Sequence, residues 1–430
     1  MSVRARGGWA GGLIVAACSM VSAAPQDAID AAFGMQAEGA TLTQVRQALV
    51  EHAGDDAVDF AIGAVDFLLA GEQLIQQLHR KGFMMPAAPI RGMVGPEAQL
   101  LSWFVTEQPE PVTYAEIEAA LSGFVANLSK ADASLSRVDG DFKCVLNVSN
   151  IRFDVDSDGI ASSQEGMRTL FDALPPRYVL NADAGRYEPL PLVPGDLVIA
   201  FDRGDASWLR GYSHLLMAVG EFLLAHDAQD LFDRTGHVFF PEAQIKYDFL
   251  KNSTYFLEFV SGERTPTAFD LTDLLAFVGN IEFEVDEPER MARSLEHLRQ
   301  TVRHGREMWT HYDRERDNDR EWIPNPHQTA AFSQVKVDQD MHDAWILFLD
   351  ECEGILSGRK VLRFWRSDGK RGIDVPRVFL EPREFNLLYW IQGSAAAPYL
   401  REGEFTSEGT WQRLVEVFDD RVFRFSFWFN

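Results

Sequence analysis

Apolar side chains fall at three- and four-residue intervals along most of this chain, the spacing that lines one face of an α-helix. In the first third, "DAIDAAFGMQAE" and "TLTQVRQALVEHAG" carry that period, the second with Thr41 placed to cap its start and Gly54 beyond its end. "AVDFAIGAVDFLLAG", from Ala57 to Gly71, is apolar nearly all round and reads as a mostly buried helix. Asp59 and Asp66 lie two helical turns apart on it, so both carboxylates share one face, its expected wet edge. "TYAEIEAALSGFVANLSKADASL" predicts a further helix.

The same period dominates the second half, in "DASWLRGYSHLLMAVGEFLLAHD", "TAFDLTDLLAFVG", "EPERMARSLEHLRQTVRHGREMWTHYDR" and "DQDMHDAWILFLDECEGILSG". Short β-branched and aromatic runs, "DLVIAFD", "KVLRFW", "RVFLE" and "FRFSFWFN", predict strands between and after these helices. "FKCVLNVSNIRF" is open between strand and helix. Proline-punctuated stretches, "MMPAAPIRGMVGP" and "PPRYVLNADAGRYEPLPLVPGD", read as seams. The expected fold is mainly α with a few short β-strands: a helical domain over 24–135, a loop segment over 136–175, and a larger mainly helical domain over 176–430.

Residues 1–23 depart from this pattern. Arg4 and Arg6 precede an apolar run from Trp9 to Val21, and small residues follow, the layout of a secretory signal cleaved after Ala23. "VAAC" resembles the bacterial lipobox, which implies instead a leader of 1–17 and a lipid anchor at Cys18. Soluble export is the favoured expectation, placing the chain in the periplasm or outside the cell; the alternative is an outer-membrane lipoprotein. No later run is long and apolar enough to span a bilayer. Past the leader only Cys144 and Cys352 remain, either paired or kept as two separate buried thiols.

The net charge is −25, with no basic face to offset it, so nucleic acid is not an expected partner. An acidic surface does attract cations, and one stretch concentrates that tendency. Counted from Asp154, "DVDSDGIASSQE" places carboxylates at positions 1, 3, 5 and 12 and glycine at position 6. Alternate side chains converge as such a chain curls, the glycine permits the sharp turn, and the final glutamate returns from the following helix. The full pattern arises by chance in roughly one such protein in a thousand.

This loop resembles the EF-hand calcium loop at each strict ligand position. The resemblance implies Ca2+ held by Asp154, Asp156, Asp158, the Ile160 carbonyl and Glu165, with Ser162 positioned to hold a bridging water. It covers only residues 154–165 and the start of the next helix. Ala161 stands where the family places a larger apolar residue, Ser149 and Asn150 interrupt the entering helix, and no second loop pairs with it. The expectation is therefore half an EF-hand, with a strand or loop leading in, a helix leading out, and a structural ion.

Other polar groupings are weighed against simpler readings. His297, His304 and His311 recur every seven residues among arginines, the pattern of a polar helix face. His214, Glu221 and His226 fit a core or interface pair better than any metal motif. "RGD" at Arg203–Asp205 is a short match, and Asp205 is better placed to cap the helix that follows. Asp313, Glu315, Asp317, Asp319 and Glu321 alternate with arginine before Trp322, which predicts a solvated, salt-bridged segment. Acids beside tryptophan also suit a carbohydrate cleft lined by Trp309 and Trp322. No nucleophile-elbow, phosphate-loop or dinucleotide motif is present. The expected function is thus an exported, non-enzymatic calcium-binding protein of the bacterial cell envelope with an interaction role and no named protein partner. The alternative is an exported hydrolase using acids near 313–321.

Overall fold

A computed structural model describes residues 24–84, 102–173, 177–181, 186–190, 197–252, 271–331, 336–366 and 368–418. The leader with Cys18, most of the first proline seam, part of the second and the "FRFSFWFN" run lie outside those residues. The architecture is mainly helical with a few short strands.

Helices α1 (Pro25–Gly34), α2 (Leu42–Val50) and α3 (Asp56–Arg80) open the chain. Thr41 caps α2 as predicted: its side chain accepts from Gln44 N while Gln44 returns to the Thr41 N–H. Helix α4 (Tyr114–Leu135) begins on the same device, Thr113 with Glu116. Strand β1 (Cys144–Asn147) then leads to α5 (Met167–Ala173), β2 (Arg177–Asn181), β3 (Arg186–Leu190) and β4 (Val198–Phe201). β1 runs antiparallel to β4, with Cys144 opposite Phe201, and β2 and β3 form a second antiparallel pair.

Helix α6 (Arg203–Leu224) is followed by α7 (Gln229–Phe239), α8 (Leu271–Gly279) and α9 (Pro288–Tyr312). α10 (Gln339–Leu356), α11 (Val375–Leu380), α12 (Leu387–Gln392) and α13 (Glu408–Phe418) are the remaining α-helices among the described residues. The "RVFLE" run is helical, not a strand. Pro376 fits the first turn, where its missing N–H is not needed, and Arg377 pairs with Glu381 one turn on.

The largest core gathers Leu42, Val45 and Leu49 of α2, Phe60, Ile62 and Val65 of α3, Leu146 of β1, Ile199 of β4 and Leu209 of α6. Each such side chain contributes about 1.5–3 kcal/mol when fully buried. A second core packs Trp309 and Tyr312 of α9 against Trp345 and Leu349 of α10 and Leu414 and Phe418 of α13. Cys144 belongs to the first core and Cys352 to the edge of the second, and both thiols are free. Burial pushes both up in pKa, Cys352 to about 12, so neither is a ready nucleophile.

Asp59 and Asp66 are not a wet edge. They are only 6% and 7% exposed, because α2 and α4 close over that face of α3. Asp66 is paired with Arg46 of α2 and accepts from Ser134 Oγ of α4 at 2.7 Å, so its charge is compensated inside the bundle.

α6 and α9 cross in close contact where Gly204 meets the Tyr312 ring. A Cβ at 204 would lie 2.3 Å from Tyr312 Cε1, and the ring is held by its hydroxyl bond to Asp205. Gly204→Ala is therefore expected to destabilise by about 1–3 kcal/mol through overpacking. A urea titration should show a lower midpoint with an unchanged slope; an unchanged midpoint would mean the ring yields freely.

Candidate functional site

The acidic loop is held at both ends before its side chains are considered. Phe153 N donates to the Glu165 carbonyl at 2.9 Å and Met167 N to the Ile151 carbonyl at 2.7 Å, tying entry to exit. β1 and a short 3-10 turn (Val148–Asn150) lead in, and a 3-10 turn (Ser163–Glu165) and α5 lead out. Phe153, Asp154 and Val155 are all buried, while Asp156 is exposed.

Three partners from the N-terminal helices seat the loop. Gln76 Nε2 of α3 donates to the Asp154 carbonyl at 2.6 Å, and Asp154 N donates to Glu72 Oε2 at 2.9 Å. Gln36 brackets Arg152, donating to its carbonyl at 2.7 Å and accepting from its N–H at 3.1 Å. Sequence reading missed all three. Glu72 had one weak signal, a lone carboxylate at the end of an apolar helical run.

Asp154, Asp156 and Asp158 come together, with one carboxylate oxygen of each within 4.8 Å of the others. The curl uses left-handed backbone at Ser157 (φ 64°) and Gly159 (φ 87°). Asp154 Oδ2 accepts from Gly159 N at 3.2 Å, Asp156 Oδ1 from Asp158 N at 3.1 Å, and Asp158 Oδ1 from Ile160 N at 2.8 Å. Asp154 is 8% exposed, and its Oδ1 is buried without a hydrogen-bond partner. Such an atom is costly unless something positive meets it.

Glu165 does not join the trio. Its Oε1 accepts from Val155 N at 3.0 Å and Asp156 N at 3.3 Å, and its Oε2 from Ser162 N at 3.3 Å. Three N–H donors stabilise this carboxylate better than a place beside three others that repel it. Ser162 and Glu165 thereby form a capping box on the exit turn. Ile160 is exposed, and Ala161 N donates to the Gly39 carbonyl at 3.0 Å, so a small side chain suits position 161.

The electrostatics mark the same spot. Burial raises the Asp154 carboxyl above its ordinary range, and the charges of Asp158, Asp156 and Glu165 add to the rise. Glu72 is pushed up to about 7, first by burial, against the opposing effect of its Asp154 N–H bond, with Asp154 and Glu165 adding repulsion. The donor set is all oxygen and strongly anionic, which fits a hard dication of calcium's size.

A second acidic group lies elsewhere, and it revises the reading of residues 313–321 as a solvated segment. After α9 the chain turns back, and Ala200 N of β4 donates to the Arg320 carbonyl at 3.1 Å. That turn points Glu315 and Glu321 inward to meet Asp202, with one oxygen of each within 4.8 Å of the others. Asp202, not Asp205, caps α6: it accepts from Gly204 N at 2.7 Å, and Asp205, expected as the cap, is the third residue of the helix and accepts in turn from Asp202 N. The three acids line a cleft of about 460 Å³ shared with Lys143, Arg203 and His311. Burial, then the charge of Asp202 and a hydrogen bond to it, raises Glu315 to about 9; burial raises Glu321 to about 7. Trp309 is sealed in the second core and Trp322 packs against Trp208, so neither lines the cleft.

Comparison with known proteins finds no matching family model, no matching curated protein and no matching solved structure.

Proposed function

We propose that this chain is an exported calcium-binding protein, periplasmic or secreted, in which one Ca2+ braces the 154–165 loop against α3 and serves an interaction role. The observation that carries this reading is that Asp154, whose carboxylate converges with those of Asp156 and Asp158, keeps a buried Oδ1 without a hydrogen-bond partner. Calcium would take those three carboxylates, the Ile160 carbonyl and a Glu165 rotated off its N–H donors, with water at Ser162. The loop's single occurrence and half-motif entry favour weak binding, and an ion kept permanently bound outside the cell tolerates that. Titration calorimetry on the mature chain is expected to show one calcium per chain with a dissociation constant of about 10⁻⁴–10⁻³ M. Asp154→Asn should abolish it; heat unchanged by that substitution would move the ion elsewhere.

A second reading has its own support in the contact of the Glu315 and Asp202 carboxyls within the cleft. Burial raises both carboxyls, Glu315 to about 9, and two acids in contact whose protonation is tuned by burial are the groups a hydrolase uses for acid–base work. Phe142 is the aromatic side chain in the cleft lining, beside the acids and His311.

A further inference from the structure

We propose that Asp132, His214 and His304 form a second metal site, for a borderline transition-metal dication such as Zn2+, where α4, α6 and α9 meet. One potential ligand atom from each residue lies within 4.8 Å of the other two. His214 and His304 are 8% and 2% exposed; of the heptad histidines, His304 is buried and His297 and His311 are half-buried, so they do not form the fully polar face expected.

The separations suit a shared ion better than direct bonds. His214 Nε2 lies 3.6 Å from Asp132 Oδ2, beyond hydrogen-bond reach. Two ligands at corners of a tetrahedron with bonds of about 2.0–2.1 Å stand about 3.3 Å apart. His304 Nδ1 is engaged by Glu307 Oε2 at 2.8 Å, and its Nε2 is buried with no partner. That nitrogen is the second, independent sign of a missing ligand. Among the described residues nothing else answers it.

Around the three ligands stands a supporting shell. Glu307 orients His304 from behind, and His297 Nδ1 meets His214 Nδ1 at 2.8 Å, so each ring is fixed through its far nitrogen. Arg210 Nε donates to Asp132 Oδ1 at 2.7 Å and leaves Oδ2 to face the histidines. A cavity of about 320 Å³ is bounded by Arg210 and Glu307, the two residues that hold Asp132 and His304 in place. Two imidazoles and one carboxylate select zinc-like ions and disfavour calcium, which separates this site from the acidic loop.

Cobalt(II) added to the metal-free mature chain tests this directly. The expected result is one Co2+ per chain with the intense visible bands of a four-coordinate ion, displaced by Zn2+. His304→Gln and His214→Gln should abolish the bands, Asp154→Asn should leave them, and Glu307→Gln should weaken affinity about 10–100-fold. Circular dichroism on each variant separates lost metal from lost fold. Should the histidine variants fail to fold, X-ray absorption on the zinc-loaded wild type decides, since two imidazoles must appear in its first shell. Weak six-coordinate bands that vanish with Asp154→Asn, or an oxygen-only shell, would overturn the proposal.

Discussion

Calcium at a hundred times its dissociation constant is expected to add about 2.7 kcal/mol to the stability of the folded chain, and Glu165→Gln to remove most of that gain. The loop packs three aspartates, Glu165 and the underlying Glu72 into one small region, with Asp154 and Glu72 both held above their ordinary pKa. A dication relieves this repulsion and satisfies the orphaned Asp154 Oδ1 at once. Magnesium should help less, because it keeps its waters and demands octahedral geometry. A glutamine at 165 keeps one carbonyl oxygen, which can accept from Val155 and Asp156 N–H while its NH2 turns toward Ser162 N, so the variant should melt somewhat below wild type even in chelator, and the calcium-dependent rise in midpoint is the quantity compared. Melting curves with calcium, with magnesium and with chelator test this. An equal calcium response in wild type and Glu165→Gln would remove Glu165 from the ligand set.

The second large effect concerns pH. Glu315 holds its proton in the fold to about 9, while in the unfolded chain it gives that proton up near the ordinary value of about 4.3. Between those values the folded state binds more protons than the unfolded one, so stability falls as pH rises. The contribution is fully present below about pH 4 and lost by pH 9, with Glu321 and Glu72 adding to the decline up to about 7. Glu315→Gln keeps the bond from Gln328 and can donate to Asp202 without a charge. It is expected to match wild type near pH 4 and to be more stable at pH 8 by about 1–2 kcal/mol, less than an enclosed pair would give because water enters the cleft. Urea midpoints from pH 4 to 9, taken in chelator, should converge at the acid end. Parallel curves would mean that Glu315 ionises normally.

Local grammar carried much of the fold. Thr41 and Thr113 cap their helices because a hydroxyl or carboxylate three residues from its partner needs nothing distant. The acidic loop was visible for the same reason: its carboxylates and glycine lie within twelve residues of one another. The strand expectation for "RVFLE" failed because a short apolar run carries no decisive period, and Pro376 with the Arg377–Glu381 pair settled it as a helix.

The sequence by itself determined the helical class, the caps and the order of acids in the 154–165 loop, all consequences of backbone geometry over a few turns. Tertiary structure alone decided which side of each helix is wet. It buried Asp59 and Asp66 under α2 and α4, turned Glu315 toward Asp202, set Glu72 beneath Asp154, and brought His214 beside His304 from ninety residues away. The physical reason is that a periodic pattern places a polar residue on a face but says nothing of what packs there. A charge reads as solvated until a neighbouring element excludes the water, and only then do its pKa, its partners and its chemistry follow.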